Sequence, residues 1–116
     1  MLEMYAEDAV FDISAVFTDD APVRGHENMR RSWKRLQETW GGGIRLDPLE
    51  LLDLGDGHYV LDLRLWGKGT RSGVQVNQRF AFLYDLRRDG KVSRARLFPD
   101  VATAVSEVES SASQPA

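Results

Sequence analysis

A chain of 116 residues with fifteen Lys and Arg against eighteen Asp and Glu carries a net charge of −3, and that balance argues against a dedicated nucleic-acid binder, which needs a basic excess. The absence of cysteine rules out disulfides, thiolate metal sites and a cysteine nucleophile. The length suits one domain, and 42% hydrophobic residues are enough for one core without staples.

In chain order, the pattern predicts a short helix over Leu2–Glu7, a strand over Ala9–Ser14 and a loop through Thr18-Asp19-Asp20-Ala21-Pro22. Gly25 then opens a helix. Met29, Trp33, Leu36 and Trp40 recur at helical spacing and form its apolar stripe, most simply read as core. Gly41-Gly42-Gly43 ends it. Four antiparallel strands are expected at Ile44–Leu54, His58–Trp66, Val74–Leu86 and Lys91–Phe98. Their turns fall at Gly55-Asp56-Gly57, Gly67–Gly73 and Arg87–Gly90, where glycine tolerates positive φ. A last helix is predicted from Asp100, a plausible N-cap, to about Glu109, with Val101, Ala104, Val105 and Val108 facing inward. Residues 1–109 thus read as a single α+β domain and 110–116 as a disordered tail.

No apolar run approaches the ~18 residues needed to span a bilayer, and no basic-then-apolar signal opens the chain. A cytoplasmic protein with no membrane and no nucleic-acid partner is the expectation. His26 and His58 lie far apart in sequence, begin a helix and a strand, and are expected to face solvent; no metal and no cofactor is implied.

Strand register follows from asking which pairing sorts side chains cleanly by face. Pairing Leu65 with Val76, Leu63 with Gln78, Leu61 with Phe80 and Tyr59 with Phe82 does so. Carried outward, Tyr84 meets Ser93, Phe82 meets Ala95, Leu51 meets Leu61 and Glu50 meets Asp62. An inner, apolar face results, destined to lie under the helices. The outer face collects Asp62, Arg64, Asn77, Arg79, Arg94 and Arg96, interleaved with Leu52, Val60, Trp66, Leu83 and Phe98, and is too apolar to sit alone in water.

The run Tyr5-Ala6-Glu7-Asp8-Ala9-Val10-Phe11-Asp12, followed by Pro22-Val23-Arg24-Gly25 leading into a helix, resembles the nuclear transport factor 2-like superfamily. The stretch Gly67-Lys68-Gly69-Thr70-Arg71-Ser72-Gly73-Val74, then Asp89-Gly90-Lys91-Val92 and Phe98-Pro99-Asp100, resembles its SnoaL-like branch; together the match spans roughly residues 5 to 105. The resemblance implies an α+β cone, a curved antiparallel sheet packed on helices. It implies relatives among ketosteroid isomerases, scytalone dehydratases, epoxide hydrolases and polyketide cyclases, although fold alone does not assign function. Members usually begin with a long helix, which this chain is expected to lack.

On this frame the inner pocket would be lined by Ile13, Trp33, Tyr59, Leu61 and Gln78, and by Phe80, Phe82, Tyr84, Ser93 and Ala95. A homodimer would form through Leu52, Val60, Asp62, Arg64, Trp66, Arg79 and Phe98, a mixture of aromatics and pairable charges suited to interfaces. The base of ketosteroid isomerase maps to Ile13, its enolate-stabilising acid maps near Phe82, and neither can move a proton. Asp62, Arg64 and Arg79 resemble the Asp-Arg-Asp cluster of epoxide hydrolases but fall on the outer face, where a plain ion-pair ladder is the simpler expectation. The expected function is therefore binding of a small hydrophobic molecule in an apolar inner pocket, with no reaction assigned. The alternatives are an isomerase, cyclase or epoxide-hydrolase-type enzyme acting on a polyketide- or terpenoid-like substrate, and a non-catalytic dimeric module.

Overall fold

At the start of the chain Tyr5, Ala6 and Ala9 are buried while Glu7 and Asp8 are exposed, a spacing that imitates a helical turn. A computed structural model, describing residues 2–18, 20–39, 44–68 and 75–113, places these residues instead in a strand, β1 (Tyr5–Asp12), after one short 3-10 turn over Leu2–Met4. β1 pairs with β6 (Val92–Phe98) at Tyr5↔Val92 and next at Val10↔Arg94, so the chain between bulges. That bulge returns side chains to one face three or four residues apart, which is why the periodicity reads as helix.

β2 (Val23–Arg24) pairs antiparallel with β1 and leads into α1 (His26–Thr39). Gly25 makes the corner at φ +89°; its N–H donates to the Ala9 carbonyl at 2.9 Å and its carbonyl accepts the Met29 N–H. β3 (Arg45–Gly55), β4 (His58–Lys68), β5 (Gln75–Leu86) and β6 form the expected meander, and α2 (Val101–Ser113) closes the chain. The sheet runs β2-β1-β6-β5-β4-β3 and is mixed, since β1 and β6 are parallel. At the β3–β4 turn, a Cβ on Gly57 would stand 3.0 Å from the Leu86 carbonyl, which excludes a side chain there. Helix α2 extends to Ser113, past the expected end, so 110–113 continue the helix. The expected helix stop at 41–43 and the turn core at 69–73 lie outside the described residues.

The β3–β4 pairing runs as expected, with Glu50↔Asp62 and Leu51↔Leu61. The β4–β5 and β5–β6 pairings are each displaced by two residues from the expected register. Leu61 meets Phe82 and Tyr59 meets Tyr84, while Tyr84 meets Ala95 and Phe82 meets Leu97. An even displacement leaves every side chain on its face, so the face assignment survives while the individual partners change.

Two layers of core follow. On the concave side α1 packs on β1 and β2, with Met29 among Tyr5, Ala6, Ala9, Val92 and Ala95, and Trp33 and Leu36 reach the neighbouring cluster of Ile13, Leu63, Leu65, Phe80 and Leu97. On the convex side α2 lays Ala104, Val101, Val105 and Val108 over Val60, Ala81 and Leu83, with Leu52 and Phe98 at the margin. Leu52, Val60 and Phe98, expected to face a second subunit, are thus covered by the chain's own last helix. The sequence pattern showed an apolar stripe on α2 but not which face of the sheet would receive it.

Candidate functional site

Among the described residues the centre of the cone is filled. Ile13, Trp33, Phe80 and Phe82 converge as expected, joined by Phe11, Phe17 and several leucines, around a void of about 20 Å³. That is room for about one water, against roughly 300 Å³ or more for a typical ligand site. Large aromatic side chains on a small sheet leave no more. Leu61 packs against this cluster, and Tyr84 and Ala95 join the neighbouring one around Met29. The other three expected lining residues stand apart. Gln78 is exposed, and half-buried Tyr59 pairs across from Asp53 near the β3–β4 turn. Ser93 is the extra residue of a bulge between Asp85↔Arg94 and Leu86↔Val92, and its hydroxyl donates to the Asp85 carbonyl at 3.1 Å.

Open space lies instead at one end of the cone. Leu2, Tyr5, Phe11, Met29, Arg30 and Trp33 line an apolar cleft of about 130 Å³, separated from the central void by Phe11 and Trp33. Tyr5 is held from two directions and packs near Tyr84: its backbone pairs with Val92, and its carbonyl accepts a hydrogen bond from His26 Nε2 at 2.9 Å. The contact with a carbonyl requires the His26 proton on Nε2. Tyr84 stacks on Phe82 with ring centroids 5.7 Å apart, and Phe82 meets Phe11 at 6.0 Å, so an aromatic row backs the cleft.

Burial pushes the pKa of both phenols above the usual tyrosine value; the neighbouring Tyr5 pushes that of Tyr84 further up, and the contact with Tyr84 partly offsets the rise in Tyr5. Both hydroxyls are therefore protonated at neutral pH. Sequence reasoning missed Tyr5 because it fell within the expected helix, and its partner Tyr84 becomes its neighbour only through β6.

At the other margin the concave face is bare. Leu51 is 61% exposed and Leu49, at the β3 bulge, is 49% exposed. The convex face carries the charges. Asp62 is only 5% exposed, and both of its oxygens are held by Arg79, Nε to Oδ1 at 3.4 Å and Nη2 to Oδ2. Arg64 does not join that pair; it donates to Asn77 Oδ1 at 2.7 Å and lies over the Trp66 ring. Asp100 shares a cleft of about 320 Å³ with Asp62 and Arg79, but its carboxylate caps α2, accepting the Thr103 N–H and hydroxyl at 2.7 Å each. Among the described residues Asp62 is thus paired with Arg79 and Asp100 with the start of α2.

Ile13 is buried at the position expected of an isomerase base. Asp12 turns the other way, accepting the Ser14 N–H at 2.9 Å and hydroxyl at 2.6 Å beside Arg94, Arg96 and Glu107. His58, expected in solvent, is part-buried with Nδ1 2.9 Å from Asp85 Oδ1, and Arg96 approaches the other Asp85 oxygen at 3.6 Å. Among the described residues no group of three or more His, Asp and Glu could hold a metal ion, and no helix is long and apolar enough to cross a membrane.

A curved six-stranded sheet with α1 across its concave side defines the nuclear transport factor 2-like class of α+β domain. Within that class, the family model for the SnoaL-like domain matches residues 1–95, and the chain belongs to that family. The fold is similar to Bal32a, from a soil-derived mobile gene cassette, with a TM-score of 0.73 and 19% identity over 90% of this chain and 78% of that one. It is also similar to SalBIII, an epoxide hydrolase/cyclase-like enzyme with a role in pyran ring formation in the polyether salinomycin, with a TM-score of 0.67 and 16% identity over 87% of this chain and 76% of that one. A nuclear transport factor 2-like protein from Exiguobacterium sp. 255-15 superposes with a TM-score of 0.68 and 13% identity over 86% of this chain and 80% of that one. No curated protein matches the chain at a significant level.

Proposed function

We propose that this SnoaL-like domain binds a small hydrophobic molecule, and that it does so in the cleft between the first turn, β1 and α1 rather than in the centre of the cone. The observation that carries this reading is the cleft itself: about 130 Å³ with mostly apolar walls. A cavity of ~150 Å³ lined by apolar side chains suffices to bind benzene. The test is a titration with ethylbenzene followed through backbone amide resonances. Saturable shifts centred on Tyr5, Phe11, Met29 and Trp33, and suppressed in Leu2→Glu, are expected; shifts that never saturate, or that scatter over the surface, count against it.

A cyclase or epoxide-hydrolase-type activity, which the similarity to SalBIII brings to mind, has less support because the Asp62–Arg79 pair lies on the convex face and the second carboxylate beside it, Asp100, caps α2. A dimeric module retains one supporting observation on the part of the convex face away from α2. There Trp66 lies between Arg45 and Arg64, with its centroid 5.2 and 5.8 Å from their guanidinium carbons, and its indole N–H donates to Asp47 at 2.6 Å. An aromatic set among charges of both signs is suited to a self-complementary contact.

A further inference from the structure

We infer that the cleft takes an anionic one-ring molecule, an aryl carboxylate, with its ring against the apolar walls and its carboxylate held at the mouth by the Arg30 guanidinium. The inference rests on the apolar-ligand reading above and adds a charged anchor to it. Three groups on the cleft wall carry polar hydrogens: the Tyr5 hydroxyl, the Trp33 indole N–H and the Arg30 guanidinium. Trp33 and Arg30 can only donate. Among the described residues that line the cleft there is no carboxylate, and the one charged side chain is Arg30. The wall therefore meets acceptors, and the acceptor that suits a guanidinium is an anion.

The surroundings of Arg30 keep its charge available. Glu27, one turn earlier on α1, is shared: its Oε2 lies 3.2 Å from Arg30 Nη1 and its Oε1 3.4 Å from Arg31 Nε. One negative charge between two guanidiniums leaves a positive excess at the mouth. All three side chains are exposed, so these pairs are weak and screened, and a ligand carboxylate competes with them. Lys34, one turn further along α1, adds another exposed cation. Burial sets the orientation. Tyr5 and Met29 are buried, whereas the Arg30 side chain is 64% exposed. The ring thus goes inward, and the carboxylate stays at the rim, where it keeps part of its water. The reverse pose would strip a charge of water against Phe11 and Met29. The volume of about 130 Å³ accepts a single ring and not a fused polycycle.

The experiment titrates benzoate, its neutral isostere benzamide, and ethylbenzene into the wild type, Arg30→Gln and Arg30→Lys, followed through backbone amide resonances. Arg30 is exposed, so both variants should keep the fold. The wild type should bind benzoate about three- to tenfold more tightly than benzamide at low salt, as for one charge-assisted contact at an exposed site. Arg30→Gln should lose that preference, Arg30→Lys should keep part of it, and ethylbenzene affinity should be the same in all three. The preference should shrink near 1 M salt, where the screening length falls to about 3 Å. Ethylbenzene should displace benzoate, since both occupy one cleft. Equal binding of benzoate and benzamide by the wild type, a preference that persists in Arg30→Gln, or benzoate that ethylbenzene does not displace overturns the anchor while leaving apolar binding intact. Absence of saturable binding by all three probes removes the apolar-ligand reading and the anchor with it.

Discussion

Glu107 on α2 and Arg96 on β6 meet at 3.0 Å, and this contact fastens the last helix to the convex face of the sheet. Arg96 does more than its partner. Its side chain is 12% exposed, it also approaches Asp85 at 3.6 Å, and it lies over the Phe98 ring, whereas the Glu107 side chain is 43% exposed. Removing Arg96 strips three contacts and leaves Asp85 with a charge to dispose of. Arg96→Ala should therefore cost about 2–4 kcal/mol. Glu107→Ala should cost about 1 kcal/mol or less, as for a solvent-screened pair. Urea unfolding of the two variants checks the order, and equal losses would show that the helix is held by its apolar stripe alone.

Leu83 and Leu51 look alike in the strand pattern and differ completely in the fold. Leu83 is fully buried between α2 and the sheet, while Leu51 is 61% exposed on the concave side. Leu83→Ala should cost about 2–5 kcal/mol, the transfer loss plus the cavity left behind. Leu51→Ala should stay within about 0.5 kcal/mol. A loss above about 1.5 kcal/mol for Leu51→Ala, measured at several protein concentrations, would mean that something covers that face in solution.

The cap of α2 carries a pH signature. Hydrogen bonds from the Thr103 N–H and hydroxyl hold the Asp100 carboxyl below the usual carboxylate range. Because the folded value lies below the unfolded one, the cap's contribution is complete above pH ~4, and it is lost as pH falls through the lower folded value. Wild type should exceed Asp100→Ala in stability at pH 7, with the gap closing in acid. Asp100→Asn, which keeps an acceptor but cannot titrate, should not show the acid-dependent part. A gap that widens in acid would contradict the sign.

No isomerisation of a β,γ-unsaturated ketosteroid is expected. A general base supplies typically 10²–10⁴-fold. The position for one holds Ile13, and Asp12 is engaged with Ser14 on the other side of the strand. The appearance of the conjugated enone in the ultraviolet is the assay. A rate well above buffer that vanishes in Asp12→Asn would mean that Asp12 reaches the concave side.

The dimer proposal makes its own demand. If the convex face around Trp66 joins two copies, the wild type should sediment as a dimer and Trp66→Glu as a monomer. A wild type that remains monomeric at high concentration removes that reading.

How much of this was legible in the sequence depends on what kind of information each feature needs. The four meander strands and α1 carry their own punctuation, Gly55-Asp56-Gly57, Gly90 and Gly25, and their bounds fell within one or two residues of the expectation. Side-chain alternation placed Leu63 and Phe80 on one face and Val60 and Leu83 on the other, but alternation is blind to shifts of two, and both hairpin registers slipped by that amount. Features made by distant partners were hidden. The bulge in β1 exists only because of β6, Tyr5 and Tyr84 share a cluster only across β6, and an apolar stripe on α2 does not say which face will receive it. Part of the expected dimer face lies under α2 and the expected central pocket is filled by aromatic side chains for the same reason: each was judged before the elements beside it were in place.

The parallel pairing of β1 with β6 joins the first strand of the chain to the last. During synthesis β1, β2 and α1 are all made before β6, the strand that pairs with the other edge of β1. Elongation at about 5–20 residues per second leaves that edge waiting for several seconds while β3, β4 and β5 are made. Closure of the sheet therefore waits for β6, and a ribosome stalled before it would leave that edge of β1 unpaired.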